Sequence, residues 1–237
     1  MLSRKTFALV VVATALSVAP TSALRAQPVV FGSAEAAGDN TTLLLLGAAW
    51  SPGRIGWQPY VSAIGYNLRF DNGPVSVSRN VFAPQVGVKY QTATSAFQVG
   101  GGWSFTSDTT GAFNLAAPSG EGPFGAVQWD YWGNGNRAAE FIGSYGTDDQ
   151  FLWTRLNGFQ RLTTTSPLYV GGEGILFGST GDNDFWSAQV GPAIEWRFSP
   201  QFRLGAAAGF KVGLSPSTNR DTDAYGRLSF VWLPTLK

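Results

Sequence analysis

"QVGPAIEWRFSPQFRLGAAAGFKVG", residues 189–213, decides the fold. Val190, Pro192, Ile194, Trp196 and Phe198 are apolar and alternate with Gln189, Gly191, Ala193, Glu195 and Arg197, which are small, polar or charged. After Ser199-Pro200-Gln201 the pattern resumes: Phe202, Leu204, Ala206, Ala208, Phe210 and Val212 share one phase, and Arg203, Gly205, Ala207, Gly209 and Lys211 the other. A period of two held over two long segments and broken by a tight turn is a β-hairpin. Its long apolar face needs either a protein core or lipid.

The same period recurs along the chain. Phe82, Pro84, Val86, Val88 and Tyr90 oppose Gln85, Gly87, Lys89 and Gln91; Phe97, Val99, Trp103 and Phe105 oppose Gln98, Ser104 and Thr106. Val127, Trp129 and Tyr131 oppose Gln128 and Asp130; Phe141 and Tyr145 oppose Glu140 and Ser144; Leu168, Val170 and Leu176 oppose Glu173; Leu228, Phe230 and Trp232 oppose Arg227 and Ser229. In 57–70, Tyr60, Ile64, Tyr66, Leu68 and Phe70 read as the apolar phase against Asn67 and Arg69. Residues 29–36 and 42–50 are weaker: the first is short and the second does not alternate.

These segments give twelve strands, with ten or fourteen also compatible. Many are longer than the about 5–6 residues usual in soluble sheets and suit the ~9–11 of a tilted spanning strand. The polar phase is rich in Gly, Ala, Ser and Gln and poor in Lys and Glu, which suits a crowded lumen better than a wet surface. A spanning sheet must close, because an open edge in hydrocarbon strands its amide groups. The expected fold is therefore all-β: an antiparallel up-and-down transmembrane β-barrel with its apolar phase toward lipid. A secreted sandwich or propeller would carry shorter strands and a more charged outer phase.

Composition narrows the chemistry. The 237 residues include no Cys and no His, which excludes disulfides, thiolate or imidazole metal sites and any triad with a His base. Charged residues are 13% of the chain, against about 25% in ordinary domains. Residues 1–26 join Arg4 and Lys5 to an apolar run from Phe7 to Val18 and small residues ending at Ala26, the pattern of a secretory signal peptide. That leaves 27–237 as a single barrel domain, with 13 basic and 15 acidic residues and nothing that points to nucleic acid.

The connections alternate as well. Counted from the first strand, the odd ones (37–40, 71–78, 107–122, 146–150, 178–184 and 215–223) are mostly longer than the even ones (51–56, 92–94, 133–136, 163–167 and 199–201). They hold ten of the fifteen acids: Asp39, Asp71, Asp108, Glu121, Asp148, Asp149, Asp182, Asp184, Asp221 and Asp223. Outer-membrane barrels have short periplasmic turns and longer outer loops, so the odd connections are expected outside.

By phase the lumen receives Arg69, Lys89, Arg155, Arg161, Arg197, Arg203, Lys211 and Arg227, with Asp130, Glu140, Glu173 and Glu195. Salt bridges filling a narrow barrel are the plainer role for them, and a charged passage or binding cavity the sharper one. Glu173 and Glu195 are a conceivable acid and base, but nothing in the spacing fixes their separation, and no enzyme is expected. Asn219, Asp221 and Asp223 alternate as in a calcium loop, yet Ala224 and Phe230 stand where an EF-hand needs Gly and Glu, so no metal and no cofactor are expected. Trp57, Tyr60, Trp132, Trp186, Trp196, Phe198 and Trp232 fall near strand ends, where aromatic girdles meet the membrane interfaces.

"GAAWSPGRIGWQPYVSAIGYNLRF" (47–70), "YVGGEGILFGSTGDNDFWSAQVGPAIEW" (169–196) and "AYGRLSFVW" (224–232) together resemble the cellulose biosynthesis protein BcsS family, in their order of Gly-Ala strand, Pro-Gly turn, Tyr-rich strand and Gly-x-Glu segment. The resemblance implies an outer-membrane accessory of bacterial cellulose production, not the synthase, and carries no active site. The partners expected are outer-membrane lipid and lipopolysaccharide, with cellulose or cellulose-secretion components. The competing reading is a small-solute pore or a structural membrane protein, and the oligomeric state is left open.

Overall fold

The computed structural model describes residues 27–38, 41–72, 75–110, 116–117, 120–133, 135–148, 150–179, 185–214 and 222–234. The signal segment expected at 1–26 lies outside them. The strands are β1 (Gln27–Ala37), β2 (Thr41–Ser51), β3 (Gly56–Asn72), β4 (Val75–Gln91), β5 (Ser95–Thr110), β6 (Ala116–Ala117), β7 (Glu121–Tyr131), β8 (Arg137–Gly146), β9 (Phe151–Arg161), β10 (Leu168–Ser179), β11 (Phe185–Ser199), β12 (Phe202–Gly213) and β13 (Thr222–Trp232). No helix occurs among the described residues. The two-residue β6 only pairs with the C-terminal end of β5.

The other twelve strands form one closed antiparallel barrel. Each pairs with its neighbours in sequence, and β1 meets β13 from Val30↔Trp232 to Ala37↔Tyr225, which completes the ring. Closure leaves no unpaired edge on the wall. The outer phase is apolar and open: Val86, Val190, Phe210 and Leu228 are each more than 60% exposed. No large apolar side chain among the described residues is fully buried. An apolar wall of this extent suits lipid rather than water.

Three features depart from the expected layout. The connections at the acidic end are shorter than the sequence suggests, because β3 runs to Asn72 and β4 starts at Val75, turning most of 71–78 into strand. The two ends therefore differ less in loop length than in acid content. Secondly, β3 has the opposite phase. Tyr60 and Ser62 pair with Gly87 and Gln85 on the inner face of β4, whereas Trp57 pairs with exposed Tyr90 outside. Tyr60, Ile64, Tyr66 and Leu68 thus face the lumen, not lipid. Both phases of β3 are apolar, so alternation alone does not orient it; its register with β4 does. Thirdly, β2 alternates although its sequence does not: Leu44 and Leu46 are exposed outside, and Leu43 and Leu45 turn in.

Two prolines sit inside strands where the ladder opens. The β4–β5 register passes from Phe82↔Phe105 to Gln85↔Gly102 across Pro84, and the β11–β12 register from Val190↔Phe210 to Ala193↔Ala207 across Pro192. Proline has no N–H to give. The backbones close in there, and a Cβ on Gly191 would run into the Ala208 carbonyl.

Candidate functional site: a charged band across the lumen

The inner phase concentrates paired polar groups at mid-barrel. Arg227 on β13 is the centre. Its register partners across β12 and β11 are Ala207 and then Ala193, and Glu173 on β10 faces Gly191. These small residues clear a path along which Arg227 spans two strands. Its Nε donates to Glu173 Oε1 at 3.1 Å and its Nη2 pairs with Oε2, a forked guanidinium–carboxylate contact. The Glu173 side chain is 0% exposed and that of Arg227 7%. Tyr225 donates to Glu173 Oε1 at 3.4 Å, and the Asn157 amide, turned so that its nitrogen faces the carboxylate, donates to Oε2 at 3.0 Å. Beside this pair, Gln189 on β11 donates to Glu35 on β1 at 2.7 Å, again reaching past two strands.

Further pairs continue the band. Arg155 on β9 pairs with Glu140 on β8 and lies 5.8 Å from the Trp153 ring. Gln98 donates to Gln128 at 2.6 Å, and Gln128 donates to both Asp130 oxygens at 3.0 and 3.1 Å. Lys89 on β4 and Arg203 on β12 are cations near enough to act on the Asp130 charge. Toward the opposite end from the acidic connections, here the turn end, Glu195 accepts from Arg197 Nε at 2.6 Å. The Arg197 guanidinium lies 3.9 Å from the centroid of the Tyr169 ring. At the acidic mouth Asp148 folds inward and accepts from Ser104 and Thr106 at 3.2 and 3.0 Å.

Eleven of the charged residues expected in the lumen join this arrangement. Lys89, Asp130, Glu140, Arg155, Arg161, Glu173, Glu195, Arg197, Arg203, Lys211 and Arg227 share the inner phase. Lys211 lies in register with Gln189 and Asp223, on the side of the cluster toward the acidic end. Arg69 does not join them. It pairs in register with exposed Thr42 and lies on the outer face, a direct consequence of the reversed phase of β3. Tyr60, expected at an interface, is 3% exposed inside the barrel, where Gly87 and Gly100 leave room for its ring. Trp57, Trp196, Phe198 and Trp232 are exposed outside near the turn end, and Trp196 stacks on Phe198 with centroids 4.9 Å apart. Trp132 sits in the turn after β7, its Nε1 donating to the Ala93 carbonyl at 2.8 Å, and Trp186 is half-buried at the acidic end of β11. Of the calcium-like run, Asn219 and Asp221 lie outside the described residues.

Glu35, Gln189, Asn157 and Tyr225 are site members the sequence reading did not single out. Glu35 lies on β1, an 11-residue strand whose alternation is weak in the sequence. The other three occupy the inner phase, which was the available signal.

No family model and no curated protein matches this chain. Solved structures share its fold at low identity. The β domain of the Bordetella autotransporter Brka is 10% identical, with a TM-score of 0.52 over 87% of this chain and 98% of that one. The TodX deltaS2S3 mutant monoaromatic hydrocarbon channel is 8% identical, with a TM-score of 0.53 over 93% and 92% of the two chains. The fold is thus that of outer-membrane β-barrels.

Proposed function

We propose that this chain is an outer-membrane barrel whose lumen is held shut by its charged band, and that it serves bacterial cellulose production as an accessory. The observation that carries the first part is the Arg227–Glu173 pair, which crosses the interior between strands three apart with its carboxylate wholly out of solvent. A wide diffusion pore keeps such groups in water. The apolar outer wall and the exposed aromatics at the turn end support the membrane location. The cellulose role rests on the resemblance of 47–70 and 169–196 to the BcsS family.

Catalysis has no support in this geometry. Glu35, Glu140, Glu173 and Glu195 are each engaged by an amide or a guanidinium, and Asp130 by an amide. That arrangement fixes charge; it does not present a free acid and base. The competing role, a small-solute pore, draws on the Arg155–Glu140 pair, whose side chains are 16% and 28% exposed and so line space that solvent reaches.

The test is surface cellulose in a strain lacking this gene, beside a complemented strain. Loss or mislocalisation restored by complementation is the expected result. Unchanged cellulose removes that role and leaves the barrel to be examined as a pore.

A further inference from the structure

The turn end of the lumen carries more positive charge than its carboxylates answer. Arg161 on β9, Arg197 on β11 and Arg203 on β12 all turn inward there, with Tyr169 of β10 between the first two. Arg197 and Arg203 are direct cross-strand partners. Like charges directly opposite one another destabilise a sheet. Glu195 is the one carboxylate on these strands at this level, and it is committed to Arg197 at 2.6 Å. Arg161 Nε donates to the Ser166 carbonyl at 2.6 Å, which orients the group without neutralising it. Arg203 has no hydrogen-bond or ion-pair partner among the described residues. Asp130, across the lumen, is held by Gln128 and divided between Lys89 and Arg203.

The strands also provide rigidity. Gly205, the neighbour of Arg203 in the inner phase, carries no side chain opposite Glu195, and the Ser229 hydroxyl of β13 covers that place. The Tyr169 ring, 4% exposed, lies under Arg197 at 3.9 Å and near Arg161 at 5.9 Å, so both cations are held against one aromatic platform. Ser199 and Phe202, at the facing ends of β11 and β12, place the pair one step from the turn and hence at the mouth.

We infer that this mouth is an oxyanion-binding site, in which Arg203 and Arg197, with Arg161 beside them, take the carboxylate or phosphate group of a solute entering from the turn end. The planar guanidinium fork matches both groups, and a bound oxyanion removes the repulsion between the facing arginines. The inference stands whether or not the barrel serves cellulose production, since it concerns binding alone.

The experiment uses the full chain folded in detergent micelles. Pyrophosphate and citrate are titrated calorimetrically at fixed ionic strength, and melting is followed with each anion against chloride. Saturable binding and a raised melting temperature with at least one of the two are expected; pyrophosphate alone identifies a phosphate site and citrate alone a carboxylate site. R203Q should weaken binding about tenfold or more, the loss of a charge-assisted hydrogen bond, and R203K should retain part of it. Arg137, exposed outside and bonded to Gln160 at 3.1 Å, provides the control, and R137Q should bind as the parent does. Absence of saturable binding and of a melting shift in the parent overturns the inference. So does R203Q binding as well as the parent, or R137Q losing as much.

Discussion

Glu173 shows what one residue can and cannot disclose. Its inward phase is legible, because Leu168, Val170 and Leu176 take the other side of β10. Its partner is not legible. Arg227 lies three strands away, and the contact exists only because Ala193, Ala207 and Gly191 leave the intervening wall bare. Removing one member strands the other as an unpaired buried charge, which costs about 3–5 kcal/mol, whereas replacing both with apolar groups is often near neutral. Glu173→Ala should therefore lower stability by that amount in urea unfolding from micelles. The Glu173→Leu/Arg227→Met double variant should recover most of it. In planar bilayers the parent should conduct weakly and Glu173→Ala markedly more, since the crossing contact is gone. A conductance equal to the parent's would show that the pair does not close the lumen.

At the scale of the strand, alternation is a good guide where the two phases differ in chemistry. It orients β4, β5, β7 and the β11–β12 hairpin. It fails for β3, whose phases are Trp57, Pro59, Val61 on one side and Tyr60, Ile64, Tyr66 on the other. A chemically symmetric strand takes its orientation from the register of its neighbours, information held in β4 rather than in β3. Arg69 and Tyr60 change sides for that reason alone. The proline gaps give the sharpest test at this scale. Gly191→Val places side-chain carbons against the Ala208 backbone beside Pro192, where neither strand can yield without losing its register. The cost should be at least that of overpacking, about 1–3 kcal/mol, seen as a lower unfolding midpoint. Gly226→Ala, at a wall position where a Cβ meets nothing within 4 Å, should leave the midpoint unchanged.

For the whole molecule, the closed form is legible because long alternating segments leave an open sheet no way to satisfy its edges in lipid, whereas the strand number is legible only to within ten to fourteen, since 29–36 and 42–50 alternate weakly or not at all. The difference in loop length between the ends was less readable, because sequence marks turns by Gly, Asn, Asp and Ser while β3 and β4 simply run through such residues. Which end faces outward is a property of the whole barrel, and the absence of Cys makes it simple to measure. Thr147→Cys, exposed at the acidic end, should react with a membrane-impermeant maleimide on intact cells. Thr164→Cys, exposed in the turn after β9, should react only after the cells are opened. The reverse pattern would invert the barrel and place the arginine mouth outside.

The seam between β1 and β13 has a kinetic consequence. Val30 meets Trp232 roughly 200 residues later, while most other strand contacts join near neighbours in the chain. Searching for a partner at such separation is entropically slow, and sheets rich in distant contacts fold slowly for that reason. Until β13 arrives, β1 presents an unpaired edge, and the growing sheet can add a strand from another molecule as readily as its own. The time this protein spends as an open ribbon is therefore set by its final pairing, and so is its exposure to tangling with its own copies.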